Sequence, residues 1–305
     1  MTAAAPATGP TGPEAELDID EALVGQLLDR QFPDLASLPR RVVANGWDNA
    51  MVRLGDDLVV RLPRRRVAAE LIEHEQRCLP PLAAALPLPT PVPVRTGTPE
   101  DELFPWAWSV LPWMEGTVAS AVDATTIDGA AETLAGFLTA LHRPAPDDAP
   151  SNPVRGVPLA TARERVAARL VSIGRADLTA TWHALVDTPA WDAPAVWLHG
   201  DLHPGNLLVD GGRLVAVIDF GDITAGDPAT DLVSAWMWLD DRQRVVLHDT
   251  LAVDEHTRRR GAGWALAIST AVLAGGGDPH LVAAAKRGVA AVSGEFAGGH
   301  AERGE

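Results

Sequence analysis

The stretch His199-Gly200-Asp201-Leu202-His203-Pro204-Gly205-Asn206, followed thirteen residues after its asparagine by Asp219-Phe220-Gly221, decides how this chain is read. It has the form H-x-D-x-x-x-x-N followed by D-F-G. That pattern sets one carboxylate beside an attacking hydroxyl and two oxygen ligands beside a metal and its phosphates. On this reading Asp201 orients an acceptor hydroxyl and takes up its proton, while Asn206 and Asp219 hold Mg2+ through oxygen, as a hard cation prefers. Val196-Trp197-Leu198 leads in as a short apolar strand. Residues 206–209, the turn Asp210-Gly211-Gly212 and residues 214–218 read as a hairpin, since Asp-Gly stands between β-branched runs. The hairpin carries Asn206 at one end and Asp219 at the other, so the two ligands meet. His199 and His203 are also four apart, the spacing of a zinc pair on a helix, but Gly200 and Pro204 argue against a helix and no H-E-x-x-H is present. His199 reads instead as a hydrogen-bonding support of the loop.

Composition narrows the class. A chain of 305 residues buries a large core, and the length suits two lobes better than two independent domains. The single cysteine, Cys78, excludes an intrachain disulfide, and the first residues lack the basic start and apolar run of a signal peptide, so a cytoplasmic protein is expected. The longest apolar stretch, 264–274, is too short to span a bilayer, and no membrane role follows. A net charge of −16 argues against nucleic acid and leans toward cationic ligands, although an acidic surface also serves solubility. Lys286 is the only lysine and follows Ala285, which excludes a G-x-x-x-x-G-K-[ST] phosphate loop.

Residues 1–17, rich in Ala, Pro, Gly and Thr, are expected to form a disordered tail. An opening helix follows from Asp18 to about Phe32, with Ile19, Leu23, Val24, Leu27 and Leu28 on one face. Residues 41–44, 51–54 and 58–62 read as three strands. The first turn, with Gly46 and Asn49, is placed over nucleotide phosphates, although an ordinary hairpin needs the same residues. The third strand carries Arg61 where a cation is needed for phosphate, and a helix over 66–79 supplies Glu73 and Glu75 to hold it, Glu75 being the better placed. Arginine keeps the charge and adds a flat two-pronged fork. A Pro-rich connector over 80–93, a strand over 106–111 and a hinge at Pro112-Trp113-Met114-Glu115-Gly116 come next. Helices are expected over 126–143, 159–173, 176–186 and 227–239, with three more to about Phe296. Trp191, Trp197, Trp236, Trp238 and Trp264 read as core rather than as platforms for a sugar ring.

These residues resemble the aminoglycoside phosphotransferases and their macrolide and other small-molecule kinase relatives. The resemblance covers about 19–296 and is most specific in 199–206, in Ile218-Asp219-Phe220-Gly221-Asp222 and in Asp227-Pro228-Ala229-Thr230-Asp231-Leu232; Leu141-His142-Arg143 and 260–266 are weaker marks. It implies an α+β, protein-kinase-like bilobal fold, with a mostly antiparallel small lobe over 18–114 and a helical lobe over 115–305. It implies that Asp201 is the base, that Asn206 and Asp219 bind Mg2+, that Asp231 braces the catalytic loop, and that adenine bonds the Pro112 carbonyl and the Met114 amide. The expected activity is transfer of the γ-phosphoryl group of ATP, or of GTP, to a hydroxyl of a small acceptor, cationic or neutral. An aminoglycoside-like compound leads; a macrolide or a small alcohol such as choline or homoserine is the alternative, and a non-catalytic nucleotide-binding scaffold is the rival of another class. Lysine is commoner in the family where Arg61 stands, although the branch reading Gly-Trp-Asp-Asn and Val-Val-Arg-Leu-Pro has arginine. Monomer and homodimer remain open.

Overall fold

The computed structural model describes residues 15–46, 48–100 and 102–296, without the side chain of Asn45. The expectation of a disordered tail falls mostly on 1–14, outside the described residues. The chain divides into two units, one holding the residues up to Ala84 together with Thr90–Glu115, the other Ala85–Pro89 together with the residues from Gly116 on.

The first unit opens with helix α1 (Glu21–Gln31), capped by Asp20, whose side chain accepts from the Leu23 amide. Strands β1 (Arg40–Asn45), β2 (Asn49–Leu54), β3 (Leu58–Pro63), β4 (Arg95–Gly97) and β5 (Trp108–Pro112) form an antiparallel sheet in the order β1-β2-β3-β5-β4. Val52, Leu54, Val60, Leu62 and Val110 of the sheet pack with Val24, Leu27 and Leu28 of α1 and with Phe104, Trp106 and Trp108. Helix α2 (Arg66–Ala83) runs through Pro80 and Pro81, where a connector was expected. Proline removes two amide donors from the last turn, but Cys78, Leu79 and Leu82 lie buried on one face, and that burial outweighs the lost bonds. The strand expected from Trp106 begins at Trp108, because Phe104 closes an isolated bridge with Glu100 just before it.

The second unit is mainly helical. It contains β6 (Thr117–Val118), α3 (Ala130–Leu141), α4 (Arg163–Ser172), α5 (Thr179–Val186), β7 (Val196–Leu198), β8 (Leu207–Asp210), β9 (Arg213–Val217), β10 (Thr224–Gly226), α6 (Ser234–Met237), α7 (Asp241–Thr250), α8 (Glu255–Gly275) and α9 (Pro279–Phe296). Strands β6, β8 and β9 form one small sheet, and β7 pairs with β10 in another. The single helix expected over 227–239 is instead a 3-10 turn, Pro228–Leu232, followed by the short α6. Asp227 caps the turn through the Ala229 amide and pairs with Arg260, which holds the chain in the tighter winding. Trp236, Trp238 and Trp264 are buried, as core residues. Among the described residues no helix is long and apolar enough to cross a membrane.

Candidate functional site

In the second unit the hairpin β8–β9 has its open end at Asn206, whose carbonyl accepts from the Ile218 amide at 2.9 Å. Asp219 follows directly, with φ of 62°, a left-handed conformation that aspartate tolerates better than most side chains. Asn206 is bound on its other side as well, its Nδ2 donating to the Asp201 carbonyl at 2.9 Å. Two bonds from one asparagine thus draw Asp201, Asn206 and Asp219 together.

The loop carrying Asp201 is held from beneath. Asp231 is fully buried, and its carboxylate accepts from the amides of His199 and Gly200, both at 2.8 Å, and lies 3.1 Å from His142 Nε2. His199 donates from Nε2 to the Ile218 carbonyl at 3.0 Å and accepts at Nδ1 from the Asp201 amide at 3.2 Å, which fixes its tautomer. Both are supports, one through the backbone and one through the ring. Gly200 has φ of 87°, and a Cβ there would lie 2.3 Å from the Asp222 carbonyl oxygen, so glycine is required.

Asp201 itself meets an arginine and a histidine. Arg155 Nη2 donates to Oδ1 at 2.9 Å, and His203 Nε2 lies 3.4 Å from Oδ2. Burial pushes the Asp201 carboxyl up, but Arg155, His203 and His199 outweigh it and hold the group below its ordinary range. Asp222, next to Phe220-Gly221, moves the other way: burial raises it and Arg155 opposes only in part. Sequence reasoning passed over Arg155 and Asn152 altogether and assigned no role to Asp222 or His203. Arg155 lies in a Pro- and Gly-containing loop far upstream and carries no periodic or spacing signal.

In the first unit Arg61 of β3 and Glu75 of α2 form a bidentate pair at 2.9 and 3.0 Å with side chains 4% and 0% exposed, while Glu73 is exposed. With its amide oxygen turned to the guanidinium, Asn49 accepts from Arg61 Nη2 at 2.9 Å and from Nε at 3.2 Å. The turn before Asn49 is tied down: Gly46 donates its amide to the Asn49 carbonyl at 2.9 Å, and the Gly46 carbonyl accepts from Arg64 at 2.7 Å. Trp47 lies outside the described residues. Pro112 ends β5 opposite Leu58, the Trp113 amide donates to the Asp57 carbonyl at 2.7 Å, and Met114 follows in a stretch without regular structure.

The donor set of Asn206 and Asp219 suits Mg2+. The bond to the Asp201 carbonyl commits the Asn206 nitrogen and leaves its oxygen for a ligand. No three His, Cys, Asp or Glu side chains gather as a metal cage among the described residues, and Mg2+ held by one or two protein oxygens plus phosphates needs none.

The sequence profile of the phosphotransferase enzyme family matches residues 40–264. The chain is 28% identical over 211 residues to YcbJ, an uncharacterised protein of Bacillus subtilis (strain 168), a match spanning 62% of this chain and 66% of that one, just under two thirds of the relative's length. Its fold is similar to that of the GDP complex of wild-type aminoglycoside 2'-phosphotransferase-IIIa, with a TM-score of 0.69 and 18% identity over 91% of this chain and 100% of that one. It is also similar to macrolide 2'-phosphotransferase MphH from Brachybacterium faecium, with a TM-score of 0.56 and 23% identity over 87% and 96% of the two chains. These likenesses show a protein-kinase-like α+β fold.

Proposed function

The chain belongs to the phosphotransferase enzyme family and is a phosphotransferase; from that premise we propose that it moves the γ-phosphoryl group of ATP to a hydroxyl of a small amino-sugar compound of the aminoglycoside kind. The observation that carries the reading is the pair of bonds by which Asn206 gathers Asp201 and Asp219. Asp201 accepts the hydrogen bond of the acceptor hydroxyl and aligns its oxygen with the γ-phosphorus. As the new O–P bond forms, the bond from γ-phosphorus to the bridging oxygen breaks, the hydroxyl proton passes to the Asp201 carboxylate, and the nucleoside diphosphate departs. A carboxylate held ionised is free to receive that proton, which the hydroxyl loses only as the alcohol becomes an ester. Asn206 and Asp219 would hold Mg2+, which when bound neutralises charge on the phosphates. Arg61, steadied by Glu75 and Asn49, is the residue we assign as the phosphate cation, with Gly46 assigned to the phosphate turn and the Pro112 carbonyl and Met114 amide assigned to the adenine. Asp231 and His199 keep the Asp201 loop in shape.

Solved structures of similar fold include aminoglycoside phosphotransferases bound to kanamycin and gentamicin, and the net charge of −16 favours a cationic acceptor. The experiment is purified protein with Mg-ATP or Mg-GTP and a panel of aminoglycosides, macrolides and small amino alcohols, reading diphosphate release and product mass together. A phosphorylated aminoglycoside supports the reading, and product from another class replaces the acceptor. Asp201→Ala is expected to lower turnover by about 10²-fold or more with nucleotide binding intact. Near-normal turnover in that variant removes Asp201 from the mechanism.

A further inference from the structure

Arg155 lies in the segment between α3 and α4, and that segment is fastened on both sides of it. Ahead of Arg155, the Pro150 carbonyl accepts from Thr224 Oγ1 at 2.9 Å and from the Ala225 amide at 3.2 Å. Asn152 then donates to Asp222 Oδ1 at 2.6 Å and accepts from the Val154 amide at 2.9 Å. Behind Arg155, the Gly156 carbonyl accepts from the Asp227 amide at 3.1 Å. A Cβ on Gly226 would lie 2.1 Å from that carbonyl oxygen, so the two backbones approach as closely as glycine allows. The fastened segment delivers one side chain to the Asp201 loop. Arg155 Nη2 bonds Asp201 Oδ1 at 2.9 Å, while its buried Nε has no hydrogen-bond partner and stands 3.8 Å from Asp222 Oδ2.

Stability alone does not account for this arrangement. Arg155, Asp201 and Asp222 keep 21%, 23% and 24% of their side-chain surface exposed, whereas the structural pair Arg260–Asp227 keeps 3% on each side. Ion pairs buried to this degree are weak evidence for stability, because desolvation offsets much of the Coulomb gain. What the contact does fix is the Asp201 side chain: with Oδ1 taken by Arg155, Oδ2 is the oxygen left on the His203 side. The guanidinium also stands between two carboxylates that otherwise repel.

We infer that Arg155 is a positioning residue for phosphoryl transfer, holding Asp201 Oδ1 so that Oδ2 meets the acceptor hydroxyl. This rests on the reading of Asp201 as the residue that receives the hydroxyl proton. The test compares wild type, Arg155→Ala, Arg155→Lys, Asp201→Asn and the double variant Asp201→Asn/Arg155→Ala. It measures kcat and KM for the acceptor, nucleotide affinity by tryptophan fluorescence, and thermal unfolding. Arg155→Ala is expected to lower kcat by about 10²-fold, the effect of a misplaced reacting group, with nucleotide affinity and unfolding little changed. Guanidinium ion at non-denaturing concentration restores part of that kcat, and the double variant is no slower than Asp201→Asn alone. Arg155→Lys, which keeps the charge without the fork, falls between wild type and Arg155→Ala and serves if the alanine variant fails to fold. Wild-type kcat in Arg155→Ala overturns the inference. So does a loss that guanidinium leaves unrestored and that recurs in full on top of Asp201→Asn. If wild type transfers phosphate, Asp201→Ala does not and Arg155→Ala does so normally, only this inference fails. If wild type and Asp201→Ala are equally active, the reading of Asp201 fails with it.

Discussion

Two arginine–carboxylate centres of this chain, Arg61–Glu75 and Arg155–Asp201, are built on opposite plans. In the first unit Arg61 and Glu75 are buried, bidentate and flanked by Asn49. In the second, Arg155 reaches two carboxylates, makes a hydrogen bond to only Asp201, and leaves all three side chains partly open. A sealed pair costs desolvation of both ions, and its worth lies in fixing one geometry; removing either partner leaves a buried charge with less to offset it. An open and incompletely bonded pair costs less to dismantle, so it suits a place where a substrate must enter and a proton must move. Exposure and residual bonding capacity thus separate a centre where a proton must move from one that fixes a geometry.

The largest expected effect breaks the sealed pair. Glu75→Ala leaves Arg61 charged at a position 4% exposed, and a loss of about 3–5 kcal/mol of unfolding free energy follows. Urea denaturation monitored by tryptophan fluorescence measures it. Arg155→Ala should cost far less by the same assay, because its surroundings are partly open to water. Equal losses at the two sites would erase the distinction drawn between them.

His248 extends the comparison to a buried group with no counter-ion on it. It sits in α7 beside the Trp236 ring, with centroids 5.3 Å apart, and its Nε2 has no hydrogen-bond partner. Burial, then the charges of Arg244 and Arg258, lower its pKa from 6.5 to about 4, against a weaker pull from Asp249; Glu295 faces both arginines. A histidine harder to protonate in the folded than in the unfolded chain stabilises the fold above its unfolded pKa. That contribution falls as pH drops from about 6.5 toward about 4 and does not change further below. The swing is up to about 3 kcal/mol. Comparing wild type with His248→Gln at pH 7, 5.5 and 4 isolates it, since the carboxylates common to both proteins cancel. A difference independent of pH would mean that His248 titrates normally.

How much of this was legible in sequence follows the same division between local and distant. Asp201, Asn206 and Asp219 lie on one loop and one hairpin, so spacing and turn chemistry placed them, and Ile218 bonds Asn206 as the hairpin requires. Glu75 was separable from Glu73 because a helix turns one inward and the other out. Arg155 was not legible, since it meets Asp201 across 46 residues through a loop held only by tertiary bonds. Helix α2 outran its expected end because packing of Leu79 and Leu82 overrode local proline preference, and the stretch after Asp227 tightened because Arg260, from α8, pairs with it. Each miss is a case of distant contact defeating local propensity.

The smallest effect asks whether the sealed pair needs arginine at all. Arg61 spends Nη1 on Glu75 and directs Nη2 and Nε at Asn49. Arg61→Lys keeps one charge for Glu75 but has no planar fork, so the Asn49 bonds are lost while the ion pair persists. The expected cost is about 1.5 kcal/mol, the lower end for hydrogen bonding to a charged group, seen as a small drop in the denaturation midpoint at unchanged slope. Arg61→Lys combined with Asn49→Ala should then cost no more than Asn49→Ala alone. If instead the two losses add in full, Asn49 and Arg61 act independently, and the arginine answers to the nucleotide rather than to its neighbour in the sheet.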